Sequence, residues 1–364
     1  MSATPSSVDE ARTHRELGLR VAKELLGGRD GAPVDVGALV ANYYSFTFSV
    51  GVGAGASRRE AFVKIPKLDM RGRAPTIFPL ADEDRRMAEE EAASLARLAA
   101  QWDAADLRVS WVKLRGRLPE FNALVTERAR GDEAFSAFRR FDVRRRLGSR
   151  ADSERLRGAM ARLGEALGRF HASDSRSRRF RLAEERPKFD ALGGLLERYV
   201  GADRISRATA TLDALGALEL EALDAPTLKG IDVRNVLIGA DDSLFLLDPG
   251  KIKTTHREAD LARFLMTYRA VYWGSPWLLL LRRPDPRGET AFLEAYARAA
   301  TAPSRRVLGL YMLKEQLKHW HTAHDSLRLL PWSAAAKRLA ATLYIDPFYE
   351  AQIAAELRGL AQRP

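Results

Sequence analysis

The chain has 364 residues, of which 46% are hydrophobic, a composition typical of a globular protein with one large or two ordinary domains. It contains no cysteine, which excludes disulfides, thiolate zinc sites and cysteine nucleophiles and fits a reducing, cytoplasmic compartment. The formal net charge of +11 suits a polyanionic partner, although genomic base bias explains an arginine-rich composition equally well.

The first third of the chain is predicted to mix helices and strands. Residues 1–7 are expected to be disordered, and apolar residues at helical spacing predict an amphipathic helix over 8–26. A polar segment over 69–79 is expected to be a loop. Runs rich in β-branched and aromatic residues predict strands around a second helix at 82–100; these strands span 43–52, 60–65, 107–114 and 122–127.

The remainder is predicted to be mainly helical. Apolar residues spaced by three and four predict a helix over 153–171. Four arginines between 176 and 181 are expected to lie in a solvated loop, and a further helical region is expected over 189–223. Five more helices are predicted over 259–272, 289–300, 305–324, 333–344 and 350–362.

One stretch, 229–263, carries the clearest functional pattern. Apolar runs at 236–238 and 244–247 flank a turn of small and acidic residues, which predicts a β-hairpin. Asn235 precedes the first strand and Asp248 follows the second, so an antiparallel hairpin would bring an amide and a carboxylate together. Such oxygen ligands suit Mg²⁺. The alternative is an ordinary hairpin with aspartates in its turn.

This pattern resembles the catalytic centre of the protein-kinase-like fold, most of all its aminoglycoside phosphotransferase and choline kinase branch. There, a catalytic-loop asparagine and a metal-binding aspartate flank such a hairpin. Here Asp248-Pro249-Gly250 stands at the metal-binding motif, and Asp260-Leu261-Ala262 matches a motif that follows it. The resemblance spans roughly residues 40–300 and is specific over 226–265.

The resemblance implies an α+β fold with two lobes. A small, β-rich N-lobe is expected over 38–127, preceded by a helical extension over 1–37. A large, mainly helical C-lobe is expected over 128–364, with the catalytic hairpin at 229–250.

The resemblance also implies an ATP-binding site. Lys64 would hold the α- and β-phosphates, and Glu91 would orient it, with Glu89 and Glu90 as close rivals. Other contacts to the nucleotide would come from a phosphate loop around Asn42 and from a hinge whose backbone meets the adenine, at Thr126, Glu127 and Arg128.

The catalytic loop departs from the family pattern of His-Gly-Asp, four further residues and Asn. This chain reads Lys-Gly-Ile-Asp-Val-Arg-Asn over 229–235. An ungapped alignment on Asn235 puts Gly230 at the position of the catalytic aspartate. Asp232 is the general base if the loop is two residues shorter, and Arg234 or Lys229 would then neutralise the γ-phosphate.

Two functions from different classes therefore stay open. The first is an ATP- and Mg²⁺-dependent kinase acting on a hydroxyl of a small molecule or glycan. The second is a catalytically inactive kinase-like protein that binds nucleotide or a partner. The net charge and the segment 273–283 suggest peripheral membrane contact as a third, weaker hypothesis, and no zinc-finger spacing or aromatic-interleaved basic motif favours nucleic acid.

The histidines are expected to be structural. His171 closes a predicted helix in a family-like pattern and is expected to have no catalytic role. His321 and His324 share a helix face but lack an acidic partner in sequence, so a packing or surface role is expected. No acidic patch typical of sites for cationic aminoglycosides is evident, which argues mildly against an antibiotic acceptor.

Overall fold

A computed structural model describes residues 7–29, 31–42, 44–68, 81–216, 218–273, 275 and 283–361. The predicted loop over 69–79, all but the last residue of the stretch 1–7 predicted to be disordered, and most of the segment 273–283 lie outside these residues, and Ser7 begins a helix. The chain groups into two compact units. The first comprises Met1–Trp102, Val109–Gly131 and Leu237–Ile252, and the second comprises Asp103–Arg108, Asp132–Val236 and Lys253–Pro364.

The secondary structure of the described residues is a mixture of strands and helices. The strands are β1 (Val34–Val36), β2 (Val40–Ala41), β3 (Ser45–Val52), β4 (Arg59–Pro66), β5 (Val109–Trp111), β6 (Leu114–Leu118), β7 (Ala123–Glu127), β8 (Asp132–Glu133), β9 (Arg176–Arg181), β10 (Glu219–Leu228), β11 (Val236–Ile238), β12 (Leu244–Leu246) and β13 (Ile252–His256). The helices are α1 (Ser7–Arg20), α2 (Asp82–Gln101), α3 (Ala134–Arg146), α4 (Arg150–Ala172), α5 (Leu182–Val200), α6 (Ala202–Leu215), α7 (Glu258–Arg269), α8 (Pro286–Ala299), α9 (Arg305–Leu329), α10 (Ala334–Ala340) and α11 (Asp346–Ala361).

The first unit is built on an antiparallel sheet in the order β1-β3-β4-β7-β6, with β2 also paired to β3. Because side chains alternate along a strand, Ala61, Val63 and Ile65 of β4 share one face. They are buried there with residues of α1 and of the π-helical turn (Val21–Leu25) that continues it. On the other face, Leu124 of β7 packs against α2. The predicted N-terminal helix is thus an integral part of this core.

The predicted hairpin is present as β11 and β12, which are neighbours in a second sheet. Its turn is closed by hydrogen bonds from the amide of Gly239 to the carbonyl of Ser243 and from the amide of Asp242 to the carbonyl of Gly239. Asp242 adopts a left-handed backbone with φ of 62°, a conformation that short polar side chains tolerate. Strand β5 adds to the hairpin by pairing parallel to β12.

The second unit is mainly helical, as predicted, around a small sheet in the order β13-β10-β9. Helices α4 and α8 pack closely because Gly164 has no side chain: a β-carbon there would lie 2.1 Å from the carbonyl oxygen of Phe292. Gly168, one turn later, also lies close to α8: a β-carbon there would be 2.9 Å from the carbonyl oxygen of Tyr296.

Three predictions of secondary structure were wrong. The arginine-rich segment is strand β9, paired antiparallel with β10, and the helical region expected to reach residue 223 ends at Leu215. Cross-strand ion pairs explain why this charged sequence forms a strand: Arg179 pairs with Glu219 and Arg178 with Asp224. The strand expected over 107–114 is divided between β5 and β6, which belong to different sheets.

No helix in the described part of the chain combines the length and the apolar character needed to cross a bilayer. The two units divide the chain differently from the bounds expected from sequence: the first unit includes residues 1–37 and reaches Gly131, and Asp103–Arg108 falls in the second unit. The units assign Leu237–Ile252, which contains β12 and Asp248, to the first unit.

Candidate active site

The first unit places a lysine on the helix-covered face of its sheet. Lys64 lies on β4 between Val63 and Ile65, and strand alternation turns it away from the core that those two residues enter. It pairs across the sheet with Leu124, which packs against α2. Lys64 therefore points toward α2, and its ammonium is largely removed from water.

Helix α2 supplies the partner. Glu91 shares the buried face of α2 with Ala88, Leu95 and Leu98. The Lys64 ammonium donates to both carboxylate oxygens of Glu91, at 2.9 Å and 2.7 Å. The rival glutamates bind other cations: Glu89 pairs with Arg117 and Glu90 with Lys251. Of the three adjacent glutamates, Glu91 is the one that pairs with Lys64.

Asp248 is the second carboxylate on this lysine. Its Oδ1 lies 2.9 Å from the ammonium of Lys64. Asp248 has a φ of 48°, in the left-handed region that non-glycine residues seldom adopt, and Gly250 has a φ of 61°. Such a conformation costs on the order of 1–3 kcal/mol and is concentrated at functional sites. The loop after β12 is thus bent to bring this carboxylate to Lys64.

We define the triad as Lys64, Glu91 and Asp248, and within it charge and burial shift the pKa values of Lys64 and Glu91. Burial alone would lower the pKa of Lys64, but the two carboxylates outweigh it and raise that pKa to about 12. Burial and then the negative charge of Asp248 raise the pKa of Glu91 to about 7, against the opposing effect of Lys64. The ammonium is therefore fully charged at neutral pH, and it is shared between two competing carboxylates.

The other predicted nucleotide contacts lie in the same unit. Asn42 lies between β2 and β3. Its backbone N–H donates to the carbonyl oxygen of Ser45, and its side-chain nitrogen donates to the Thr47 hydroxyl. Thr126 and Glu127 end strand β7, and the backbone N–H of Glu127 donates to the carbonyl of Lys113. Arg128 follows and donates to Glu60 at 3.2 Å. Adenine contact by this segment stays a prediction.

The second unit contains the catalytic-loop candidates. Asp232 precedes a short 3₁₀ turn over Val233–Asn235, and its Oδ1 accepts the backbone N–H of Arg234 at 2.8 Å. The Arg234 guanidinium folds back onto the same carboxylate, with Nε at 2.9 Å from Oδ1 and Nη2 on Oδ2. Hydrogen bonding to Asp232 raises the pKa of Arg234 above its ordinary value. The carboxylate of Asp232 is thus covered by Arg234, whose own side chain is 59% exposed.

Asn235 is oriented within its own loop. Its side-chain nitrogen donates to the carbonyl oxygen of Gly230 at 2.8 Å. With that nitrogen engaged, the side-chain oxygen is the atom that Asn235 can offer to a cation. The shortened loop therefore still presents an oriented amide oxygen just before β11.

Helix α7 anchors this loop at both ends. Asp260 accepts the backbone N–H of Leu228 at 2.6 Å, and Arg263 donates to the carbonyl oxygen of Leu228 at 2.8 Å. Thr267 accepts the backbone N–H of Val233 at 3.1 Å. These three residues lie on one face of α7 at spacings of three and four. Asp260 was predicted from its motif, whereas Arg263 and Thr267 were not, although the helical spacing from Asp260 indicates both.

Three histidines of the second unit, His171, His319 and His324, each lie beside a polar partner. His171 is fully buried, with Nδ1 at 2.9 Å from the Tyr296 hydroxyl and Nε2 at 3.3 Å from Asp260. His324 is buried 2.8 Å from Asp346, an acidic partner that lies 22 residues away in the chain. Burial lowers the pKa of His319 to about 4, so it is neutral at pH 7.

The described residues contain no group of three or more His, Asp or Glu side chains placed to hold a metal ion. The side-chain oxygens of Asp248 in the first unit and of Asn235 in the second are of the kind that Mg²⁺ takes together with phosphate oxygens and water.

Comparison with solved structures confirms the predicted protein-kinase-like fold. Spectinomycin phosphotransferase in complex with ADP and spectinomycin matches with a TM-score of 0.52 at 13% identity, over 94% of this chain and 98% of the other. Amicoumacin kinase in complex with AMP-PNP and Ca²⁺ matches with a TM-score of 0.51 at 13% identity, over 98% of this chain and 96% of the other. Choline kinase from Streptococcus pneumoniae matches with a TM-score of 0.50 at 13% identity, over 97% of this chain and 100% of the other.

No protein-family model matches the chain, and no curated protein matches it in sequence. The chain thus has the fold of these small-molecule kinases and phosphotransferases at a sequence identity too low to transfer an activity.

Replacing Lys64 by methionine would leave Glu91 buried without its cation. We expect Lys64→Met to lower the free energy of unfolding by about 3 kcal/mol at pH 8, since breaking a buried pair from one side is strongly destabilising. Burial raises the folded-state pKa of the Glu91 carboxyl above its ordinary value near 4.5. The unfolding free energy of the protein therefore falls as the pH rises from about 4.5 through the folded-state pKa. Without Lys64 the pH range of this fall extends above pH 7, so the variant should lose less unfolding free energy at pH 6 than at pH 8. Urea unfolding at both pH values measures the unfolding free energy.

The matched control is the double variant Lys64→Met/Glu91→Gln, which carries no unpaired buried charge at position 91. It should recover most of the lost stability and should lose the difference between pH 6 and pH 8. Equal destabilisation of the single and double variants would contradict the buried pair.

The anchor between α7 and the catalytic loop is tested by Thr267→Val. The substitution keeps the shape but removes the acceptor of the buried Val233 N–H, so we expect a loss of about 1–3 kcal/mol in unfolding free energy. Hydrogen exchange of the Val233 amide should accelerate. Thr322→Val is the control, since its hydroxyl bonds the carbonyl of Lys318 on an exposed helix face and should change stability little. Equal effects of the two variants would refute the anchor.

Proposed function

We propose that the chain belongs to the aminoglycoside phosphotransferase and choline kinase-like family and transfers the γ-phosphoryl group of ATP to a hydroxyl of a small molecule or glycan. The observation that carries this proposal is the triad of the first unit. A fully charged lysine is held by a helix glutamate and by an aspartate in a strained, left-handed backbone conformation. Packing alone gives no reason to place a buried ammonium between two carboxylates.

In the proposed reaction, Lys64 binds the α- and β-phosphates of ATP. Glu91 fixes the lysine side chain so that little conformational freedom is lost when the phosphates bind. The pull of two carboxylates on Lys64 also keeps its pKa high, so the positive charge is present throughout the physiological pH range. Asp248 shares its Oδ1 with Lys64 and is half-exposed at its side chain, which leaves oxygen available for a cation.

Mg²⁺ fits the donors of this chain. The oxygen of Asp248 and the oriented side-chain oxygen of Asn235 are hard ligands of the kind that this ion prefers. When bound, Mg²⁺ would neutralise the charge on the phosphates and stabilise their developing charge.

Asp232 and Arg234 act on the acceptor side of the reaction. The acceptor oxygen forms a bond to the γ-phosphorus as the bond from that phosphorus to the β-phosphate oxygen breaks, which releases ADP. The acceptor proton passes to the carboxylate of Asp232. The Arg234 guanidinium, already beside that carboxylate and largely exposed, orients it and neutralises the transferred phosphoryl group.

The ion pair within the loop also supports a second candidate, a nucleotide-binding protein without turnover. Both oxygens of Asp232 are engaged by Arg234, and Asp232 matches the family's base only if the loop is two residues shorter than the family pattern. With both oxygens on Arg234, the carboxylate of Asp232 has fewer free lone pairs to offer to an acceptor hydroxyl. The two candidates share the nucleotide site and differ in whether Asp232 can serve as a base.

Turnover separates the two candidates. We expect Mg²⁺-dependent release of ADP from ATP in the presence of a panel of small-molecule and glycan alcohols. Asp232→Asn should lower the rate at least about a hundredfold by removing the base, and Asp248→Asn should do the same while raising the Mg²⁺ requirement. Asp190→Asn, an exposed carboxylate of α5 paired with Arg186, is the control and should leave the rate unchanged.

Nucleotide binding without ADP release across the whole panel would favour the inactive candidate. A rate that survives in Asp232→Asn but falls in Asp248→Asn would contradict the assignment of Asp232 while leaving the nucleotide site in place.

A further inference from the structure

The second unit exposes an unusual run of apolar side chains near its C-terminal end. We define the apolar segment as residues 329–343, from the last residue of α9 through α10. Trp332 is 51% exposed, Leu339 60% and Leu343 61%, and Leu329 and Leu330 are also exposed. Large apolar side chains scattered singly on a surface need no explanation, but five of them within fifteen residues do.

The helical part of the segment carries two of these side chains, Leu339 and Leu343, on one face. Ala335, Leu339 and Leu343 recur every four residues along α10 and the π-helical turn (Ala341–Ile345) that follows it. Helix α10 has no buried residue, so this face has no partner within the part of the chain that the structure describes. Ser333 caps the helix by accepting the N–H of Ala336, which fixes where the exposed face begins.

The charged residues within the sequence of the segment have one sign, and Arg328 just before it is paired with Asp325 at 3.4 Å. From Ser326 through Ile345 the sequence contains no aspartate or glutamate, although carboxylates are common in the chain as a whole. The cations of the same stretch are Arg328, Lys337 and Arg338. Arg338 flanks the apolar face and is exposed. Lys337 donates to the carbonyl of Arg328 and so ties the start of α10 to the end of α9.

We propose that the apolar segment docks on the surface of an anionic lipid bilayer. An exposed helix face of leucine with a neighbouring tryptophan, flanked by cations and free of carboxylates, matches what the interface of such a bilayer binds. A second copy of this chain fits less well, because a symmetric contact would bring the same cations together with no carboxylate from the segment to pair them. This proposal does not depend on the proposed phosphotransfer.

The test is co-sedimentation of the full chain with vesicles. With phosphatidylcholine vesicles containing about a quarter phosphatidylglycerol, we expect binding at low salt that is at least about tenfold stronger than with phosphatidylcholine alone. Leu339→Gln/Leu343→Gln should lower that binding at least about tenfold, because it removes two of the inserted side chains. Bromine-labelled lipid should quench the fluorescence of the wild type more than that of Trp332→Phe.

The matched control is Leu147→Gln/Leu195→Gln, which removes two exposed leucines of the same unit outside the segment. Its vesicle binding should equal that of the wild type. Absence of binding to the anionic vesicles at low salt, or equal binding by the Leu339→Gln/Leu343→Gln variant, would overturn the proposal. A dimer that this variant converts to a monomer, without vesicle binding by the wild type, would overturn it in favour of a second copy.

Discussion

A lysine ammonium held between two carboxylates constrains the first unit. A charge removed from water is tolerated only when it is paired, so Lys64 requires Glu91 to stand at one place on α2 and Asp248 at one place after β12. Strand alternation sets the face on which the lysine lies, and helix spacing sets the face of the glutamate. The loop after β12 meets the same requirement through a left-handed residue. The sheet, helix α2 and the loop after the hairpin therefore together fix the positions of the three charged side chains.

In the second unit, the main constraint is the position of the loop over 229–235, which helix α7 holds. Helix α7 binds the backbone of the loop through Asp260, Arg263 and Thr267, so the position of the loop does not depend on its length alone. Within the loop, Arg234 fixes Asp232 and the backbone of Gly230 fixes Asn235. A loop that departs from the family pattern thus keeps its polar side chains ordered. Whether that order serves catalysis or only binding depends on how firmly Arg234 holds its carboxylate.

Much of this arrangement was predictable from local sequence. The hairpin followed from a turn between two apolar runs, and the strand and helix patterns placed Lys64 and Glu91 where the resemblance to the kinase-like fold implies a lysine and its glutamate. Contacts between distant elements were harder to predict. Strand β9 was missed because four arginines hide the alternation that their cross-strand carboxylates reveal. The partner of His324 lies in another helix, and an apolar stripe such as that of α10 does not indicate by itself whether anything covers it.

The central claim is that the Lys64 triad is a nucleotide phosphate site, and isothermal titration calorimetry with ATP tests it most directly. The account predicts binding of one ATP that strengthens with Mg²⁺ in the wild type. It predicts loss of that binding in the Lys64→Met/Glu91→Gln variant, which carries no unpaired charge at position 91, and full binding in the exposed control Lys23→Met. Absence of ATP binding by the wild type, or undiminished binding by the double variant, would contradict it.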